Sequence, residues 1–256
     1  VCAAMMLTGC SGATATIKDK DETIMTIGDT KYTKGDEYEL LKISTGSDLT
    51  MELVKQAIYK QEVKVTKEMK EKAQKQVNDY KENMENFDEQ IHSLGYKNSK
   101  QYMNKVLIPS LQASELTEKY FTDAKKDVQK TYKPSKARII QCENKATAKK
   151  ALKALKNGTD PEEVAQQYMV DSAKYSGKET LVTTKTTDLS TRLINTLSKT
   201  KKAGVIDEVF TNESSGTTYA YVAVLVSNTY KDIKDDVYTA LSSDDDVTKA
   251  CLVYYL

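Results

Sequence analysis

Along residues 22–133 apolar side chains recur mostly at helical spacing, between stretches dense in Lys and Glu. The exception comes first. Thr23-Ile24-Met25-Thr26-Ile27 alternates, and Gly28-Asp29 then offers a tight turn into Lys31-Tyr32, which predicts a hairpin. Thr33 is placed to cap a helix that buries Tyr38, Leu40 and Leu41. Ser47 or Asp48 caps a second helix in this reading, with Leu49, Leu53, Ala57 and Ile58 on one stripe. Thr66 opens a third, long and polar, carrying Met69, Ala73, Val77, Tyr80 and Met84. Leu94-Gly95-Tyr96 ends that pattern. Asn98 or Ser99 starts another helix, which Pro109 should interrupt because proline lacks the amide donor and crowds the preceding turn. Helix then resumes through Leu111, Leu116, Tyr120, Phe121 and Val128 to Tyr132.

Pro134 marks a change of period. Ala137-Arg138-Ile139-Ile140-Gln141-Cys142 reads as a strand, and Thr147 to Lys156 as a helix closed by Asn157-Gly158. Thr159 or Asp160, with Pro161 at the first helical position and Glu162 and Glu163 in the first turn, starts the next helix. Leu181–Thr184 is extended, and Asp188–Leu197 is a short helix. Thr217–Val226 is apolar on both faces, with Tyr219, Tyr221, Ala223 and Leu225 on one and Val222, Val224 and Val226 on the other, which predicts a central strand. Residues 229–256 return to helix, with an apolar stripe through Val237, Leu241, Val247, Ala250, Cys251 and Tyr254 broken by Asp244-Asp245-Asp246. A terminal helix this apolar needs a surface. The helical first region offers one, so the chain ends should meet and the middle region should be an insertion.

The first 21 residues have another texture. Leu7-Thr8-Gly9-Cys10 reads as a bacterial lipobox, in which an apolar residue and two small ones precede the cysteine that accepts the lipid. Val1–Met6 resembles the end of an apolar signal core, and Ser11–Thr16 a small, polar tether. The charged start of such a signal is missing, so a preceding segment is expected. On this reading everything past Cys10 works outside the cytoplasmic membrane.

Composition narrows the function. In 256 residues, 38 Lys and Arg balance 37 Asp and Glu, which argues against a nucleic-acid binder. No apolar run after Cys10 approaches the roughly 20 residues of a membrane helix, so the lipid is the expected membrane contact. With one histidine, His92, no site that needs two can exist, and neither zinc nor another cofactor is expected. His92 lies in a polar helical stretch and is expected to be a solvated surface residue. Beyond Cys2 and Cys10, Cys142 and Cys251 are either two buried thiols or a disulfide.

These residues resemble a family. Residues 134–228 are similar to a parvulin-type peptidyl-prolyl isomerase domain, and nearly the whole chain resembles the PrsA foldase lipoproteins of Gram-positive bacteria. The resemblance rests on the lipobox, on Ile27–Gly35, on Asn157-Gly158 through Glu162–Tyr168, on Gly204–Val209 and on Tyr219–Val224. It implies an α+β fold: a mostly helical chaperone domain from residues 22–133 and 229–256, with a parvulin-like α/β domain inserted between them. The family's first-strand histidine falls on Ile139 and its last-strand histidine on Val222. The proline pocket falls on Leu189 and Leu193, with Tyr221 beside it, and the glycine-rich stretch survives only as Ser176-Gly177-Lys178-Glu179.

The resemblance implies a membrane-anchored extracellular foldase for unfolded or partly folded secreted polypeptides. Its cradle would be floored by adaptable side chains such as Tyr80, Met84, Tyr96, Tyr102 and Met103, which otherwise fill the helical core. Ile139 and Val222 supply neither a hydrogen bond nor charge to a twisting amide, so isomerase activity should be weak or lost. The competing readings are an active isomerase with a non-standard site, and a lipid-anchored solute-binding or adhesion protein, which the helical texture fits poorly. A homodimer through the helical region is compatible with the sequence, although no particular residue marks it.

Overall fold

The computed structural model describes residues 17–214 and 216–256. The lipobox with Cys10, the tether Ser11–Thr16 and Cys2 lie outside the described residues. The chain divides into two compact units, residues 1–57 and 58–256.

In the first unit, β1 (Thr23–Ile27) and β2 (Thr30–Thr33) form the expected antiparallel hairpin, with Gly28 at φ +59° in the turn. Thr33 and Asp36 then cap each other. The Asp36 amide donates to Thr33 Oγ1 at 3.2 Å, and the Asp36 carboxylate accepts from the Thr33 amide at 2.8 Å. The helix that follows, α1 (Lys34–Glu62), runs without interruption through Gly46, Ser47 and Asp48, so the expected second cap does not form. The hydroxyls of Ser44, Thr45 and Thr50 bond to carbonyls four residues back and leave the helical ladder intact. The expected burial fails as well. Leu40, Leu41, Leu49 and Leu53 are exposed, Leu53 at 67%, and only Ile58 of the nominated stripe is buried.

The second unit begins with the end of α1. Thr66 caps α2 (Lys67–Asn83), its hydroxyl accepting from the Met69 amide at 3.1 Å. Next come α3 (Phe87–Ser93), closed by Gly95 at φ +85°, and α4 (Ser99–Tyr102), capped by Asn98. A π-helical turn, Met103–Leu107, leads into α5 (Ile108–Asp123), and α6 (Lys125–Tyr132) follows. Pro109 therefore does not interrupt the helix. The Ile108 amide already bonds to the carbonyl of Met103, five residues back, and the widened turn lets the helix pass the proline. Ala73, Val77, Phe87, Ile91, Leu107 and Ile108 make the core here, with Met84, Tyr96, Tyr102 and Met103 packed against them.

Residues 135–227 hold a five-stranded antiparallel sheet. Its elements are β3 (Ser135–Cys142), α7 (Lys145–Lys156), α8 (Pro161–Tyr168), β4 (Ser176–Val182), α9 (Thr191–Lys199), β5 (Gly204–Val205), β6 (Phe210–Ser214) and β7 (Thr217–Ser227). The strand order is β4-β3-β7-β5, with β6 also paired to β7, so β7 is central as its two-sided apolarity predicted. The sequence reading did not anticipate β5 and β6. The short helix also begins later than expected, at Thr191, because the Ser190 hydroxyl caps it by accepting from the Leu193 amide at 3.3 Å. Leu189 lies in the turn before it.

The tail forms two helices, α10 (Tyr230–Leu241) and α11 (Asp245–Tyr255), where one was expected. Asp244 restarts the helix by accepting from the amides of Asp246 and Val247 at 3.0 and 3.3 Å. Both helices lie on α5. The Tyr230 hydroxyl donates to the Phe121 carbonyl at 2.7 Å, Tyr238 meets Phe121 edge-on at 5.6 Å, and Cys251 is buried beside the Leu116 carbonyl.

Candidate functional site

Strand register decides which of the nominated residues meet. Ile139 lies opposite Ala223 and Gln141 opposite Tyr221, so Ile139 and Tyr221 face the same side of the sheet. On that side they join Leu189 and the α9 residues Leu193, Ile194 and Leu197 in one core. Val222 pairs with Ile140 and faces the other side, where Cys142, Ala148, Ala151, Leu155 and Val164 surround it under α7 and α8. The two positions that the resemblance assigned to histidines are thus separated by the sheet.

None of these side chains is open to a ligand. Ile139, Leu193 and Val222 are wholly buried, Tyr221 is 2% exposed and Leu189 4%. The apolar groups that would line a proline pocket are instead packed on one another, with Phe210 and Tyr175 completing the layer.

Polar groups gather at the rim of this core. The Tyr175 hydroxyl donates to Asp188 Oδ2 at 2.9 Å, the Lys174 ammonium lies 2.8 Å from the same oxygen, and the Asn212 side chain donates to the Asp188 carbonyl at 3.0 Å. Partial burial pushes the Asp188 carboxyl up, but the hydrogen bonds from Lys174 and Tyr175 outweigh it and hold the group below the usual carboxylate range. Burial, reinforced by the bond to Asp188, keeps the Tyr175 phenol neutral far above its ordinary range. Tyr221, its ring 6.2 Å from that of Tyr175, is pushed up by burial and then by the charge of Asp188. The arrangement holds an ionised carboxylate against neutral phenols, with no base and nucleophile in contact. Sequence reasoning missed Asp188 and Tyr175 because they lie in irregular chain beside Lys174, where no periodicity marks a residue as inward-facing.

The remaining chemistry-bearing residues stand apart. His92 is exposed, its Nε2 3.0 Å from the Lys97 carbonyl. Cys142 and Cys251 are buried, free thiols, each pushed up to about 11 by burial, so the disulfide alternative does not hold. No three His, Cys, Asp or Glu side chains converge as metal ligands among the described residues. No described helix is long and apolar enough to cross a membrane.

Two concavities lie along α5, and another, on the outer face of α9, is lined by Arg192, Asn195, Thr196, Lys199 and Thr200. A cleft of about 280 Å³ between the end of α1, α5, α10 and α11 is lined by Tyr59, Leu116, Tyr238, Thr248 and Leu252. A second, of about 510 Å³, is floored by Val63, Met69 and Leu111 and rimmed by Glu115, Glu118 and Lys119, and Ser114 borders both. Gln112, 3% exposed on α5, ties this wall to the residue just past α1 by donating to the Val63 carbonyl at 2.7 Å. Of the five nominated cradle residues, four fill the α2–α5 core, and only Tyr80, 37% exposed, stands open.

No protein-family model and no curated protein matches this chain. Solved structures do. A peptidyl-prolyl isomerase (PrsA) from Bacillus cereus superposes with a TM-score of 0.52 at 21% identity, over 93% of this chain and 92% of that one. A foldase protein PrsA from Streptococcus pneumoniae (16% identity, 91% and 92% covered) and PrsA from Bacillus subtilis (18%, 93% and 92%) superpose with TM-scores of 0.40 and 0.38. At this identity the likeness is one of architecture: the chain has the α+β fold of the Bacillus cereus PrsA structure.

Proposed function

We propose that this chain is a PrsA-type foldase that holds unfolded or partly folded secreted polypeptides, and that its isomerase activity is weak or lost. In this reading residues 22–133 and 229–256 form the chaperone domain, and residues 134–228 are a parvulin-like scaffold. Lipid on Cys10 tethers the chain to the extracellular face of the cytoplasmic membrane of a Gram-positive bacterium.

One observation carries the reading. Every residue at a family site position is core: Ile139, Leu193 and Val222 are wholly buried, and Leu189 and Tyr221 nearly so. Lowering a barrier of roughly 20 kcal/mol about an X-Pro bond requires groups that touch the twisting amide, and these residues are packed inside two cores on opposite faces of the sheet. The clefts along α5 suit a different task. Their apolar floors, bordered by hydroxyls in the first cleft and by charges in the second, match short apolar stretches of an unfolded chain without demanding a sequence. The tether rests on Leu7-Thr8-Gly9-Cys10 alone.

The test is refolding of a protein whose slow step is one X-Pro isomerisation. Catalytic amounts of this chain should leave the rate unchanged, and stoichiometric amounts should reduce aggregation. Acceleration at catalytic amounts would overturn the scaffold reading. It would favour the second reading, an active isomerase with a non-standard site, for which the ionised Asp188 beside Tyr175 is the specific support. In that event Asp188→Asn should remove the acceleration.

A further inference from the structure

Among the described helices of more than ten residues, all but one carry charges of both signs. In α2, Lys72 pairs with Glu68 at 2.9 Å and Lys67 with Glu71 at 3.5 Å. In α7 (Lys-Ala-Thr-Ala-Lys-Lys-Ala-Leu-Lys-Ala-Leu-Lys) there is no acidic residue at all. Ala148, Ala151 and Leu155 face the sheet and are buried, while Lys145, Lys149, Lys150, Lys153 and Lys156 are all exposed. Helical spacing sets Lys145, Lys149, Lys153 and Lys156 in a row of about 16 Å, with Lys150 alongside. Lys156 is paired with Asp207 at 2.8 Å. Among the described residues the other four have no carboxylate partner. The nearest acids in sequence, Glu143 and Asp160, stand outside the helix at its two ends.

Folding alone does not account for this arrangement. Like charges at i,i+3 and i,i+4 repel, and Lys145 in the first turn opposes the positive end of the helix dipole. Four unpaired cations on one rigid face are strained against one another in the free protein, and an anionic surface relieves all of them at once.

We propose that the outer face of α7 docks on anionic lipid headgroups at a membrane surface, through Lys145, Lys149, Lys150 and Lys153. The apolar side of α7 is committed to the core, so nothing inserts into the bilayer and the contact is electrostatic and reversed by salt. A regular row of single charges, each on a flexible stem, suits a plane of mobile headgroups. The α7 face shows no aromatic side chain for stacking bases, as a nucleic-acid groove would have. The inference is independent of the foldase reading, which stands or falls on the refolding assay.

Co-sedimentation of the unacylated 256-residue chain with vesicles tests it. At about 50 mM salt the chain should bind phosphatidylglycerol–phosphatidylcholine vesicles, fail to bind pure phosphatidylcholine, and be released at about 0.5 M salt. The combined variant Lys145→Gln, Lys149→Gln, Lys150→Gln, Lys153→Gln should bind about 100- to 1,000-fold more weakly. A control with equal charge loss, Lys64→Gln, Lys67→Gln, Lys70→Gln, Lys75→Gln, should bind like the native chain, and circular dichroism should show both variants folded. The proposal is overturned by equal binding to neutral vesicles, by native-like binding of the α7 variant, or by an equal loss in the control. It is also overturned if soluble inorganic polyphosphate competes fully at the same phosphate concentration, which would make the face a general polyanion site.

Discussion

The same residue types meet opposite fates in two regions of this molecule. In the sheet region Leu193, Leu197 and Ile139 are wholly buried, each facing side chains from another element. In α1 Leu40, Ile43, Leu49 and Leu53 stand exposed, Ile43 at 83%. Both stretches look apolar and helix- or strand-compatible in sequence. The difference is the number of independent surfaces that converge. Around β7 the chain returns as β3, β5, β6, α7 and α9, so each face of the strand is covered. A hairpin and one helix cannot enclose a side chain. An apolar residue on a short segment is a demand for a partner, and only the rest of the fold can meet it.

The most direct way to break that comparison is a pair of truncations. Leu193→Ala should cost about 2–5 kcal/mol, because it opens a cavity in a layer that cannot collapse, while Leu53→Ala should change stability by less than about 0.5 kcal/mol. Denaturant midpoints of the two variants check this, and equal costs would mean that the α1 leucine is covered in solution. Next in size is Gly177→Ala. Gly177 sits on β4 at φ +79°, where an added Cβ would lie 2.3 Å from the Pro161 carbonyl oxygen. The left-handed strain and the backbone clash together should cost about 2–3 kcal/mol, read as a lowered thermal midpoint. Gly28 has the same sign of φ but nothing within 4 Å of an added Cβ, so Gly28→Ala should feel the strain alone.

The smallest effect is a pH dependence confined to the larger unit. Cys142 and Cys251 are held up to about 11 by burial, above an ordinary thiol value of 9.0. A group whose folded-state value is raised contributes stability that is present below the unfolded value and lost as pH rises toward the folded one. Between pH 9 and 11 each thiol should therefore withdraw stability, by about 1 kcal/mol at pH 10. Tyr120 and Tyr230, held near 12 mainly by burial, extend the loss to higher pH. Urea midpoints measured from pH 8 to 11 should fall, and Cys142→Ala should flatten part of the fall. Hydrogen exchange in α1 before residue 57 should not follow it, since no group of this kind lies there.

Legibility followed local chemistry. Thr66 was recognisable as a cap, and Asn98 and Asp160 each as one of two adjacent candidates, because the cap is made by the residue itself and an amide two or three positions on. The hairpin turn at Gly28 and the central place of β7 were visible for similar reasons, one in a two-residue signal and the other in an unbroken apolar run. Pro109 was misjudged because its effect depends on whether the preceding turn can widen. Ser47 and Asp48 were misjudged because a cap residue becomes a cap only where the helix stops. At the candidate site, the resemblance nominated Ile139 and Val222, and their placement on opposite faces of the sheet depends on the register between β3 and β7. Asp188 and Tyr175 come together across 13 positions that include β4, and each lies in irregular chain with no periodicity to announce it.

By itself, then, the sequence determined most element types, several caps and the charge pattern that sets α7 apart. Each of these rests on a residue's own chemistry or on neighbours within one helical turn. Only the tertiary structure decided that Leu189, Leu193 and Tyr221 are packed into a core, that two clefts lie along α5, and that Leu40, Ile43, Leu49 and Leu53 stay exposed. Those outcomes depend on which distant segments arrive at the same place, and short-range pattern carries no record of that.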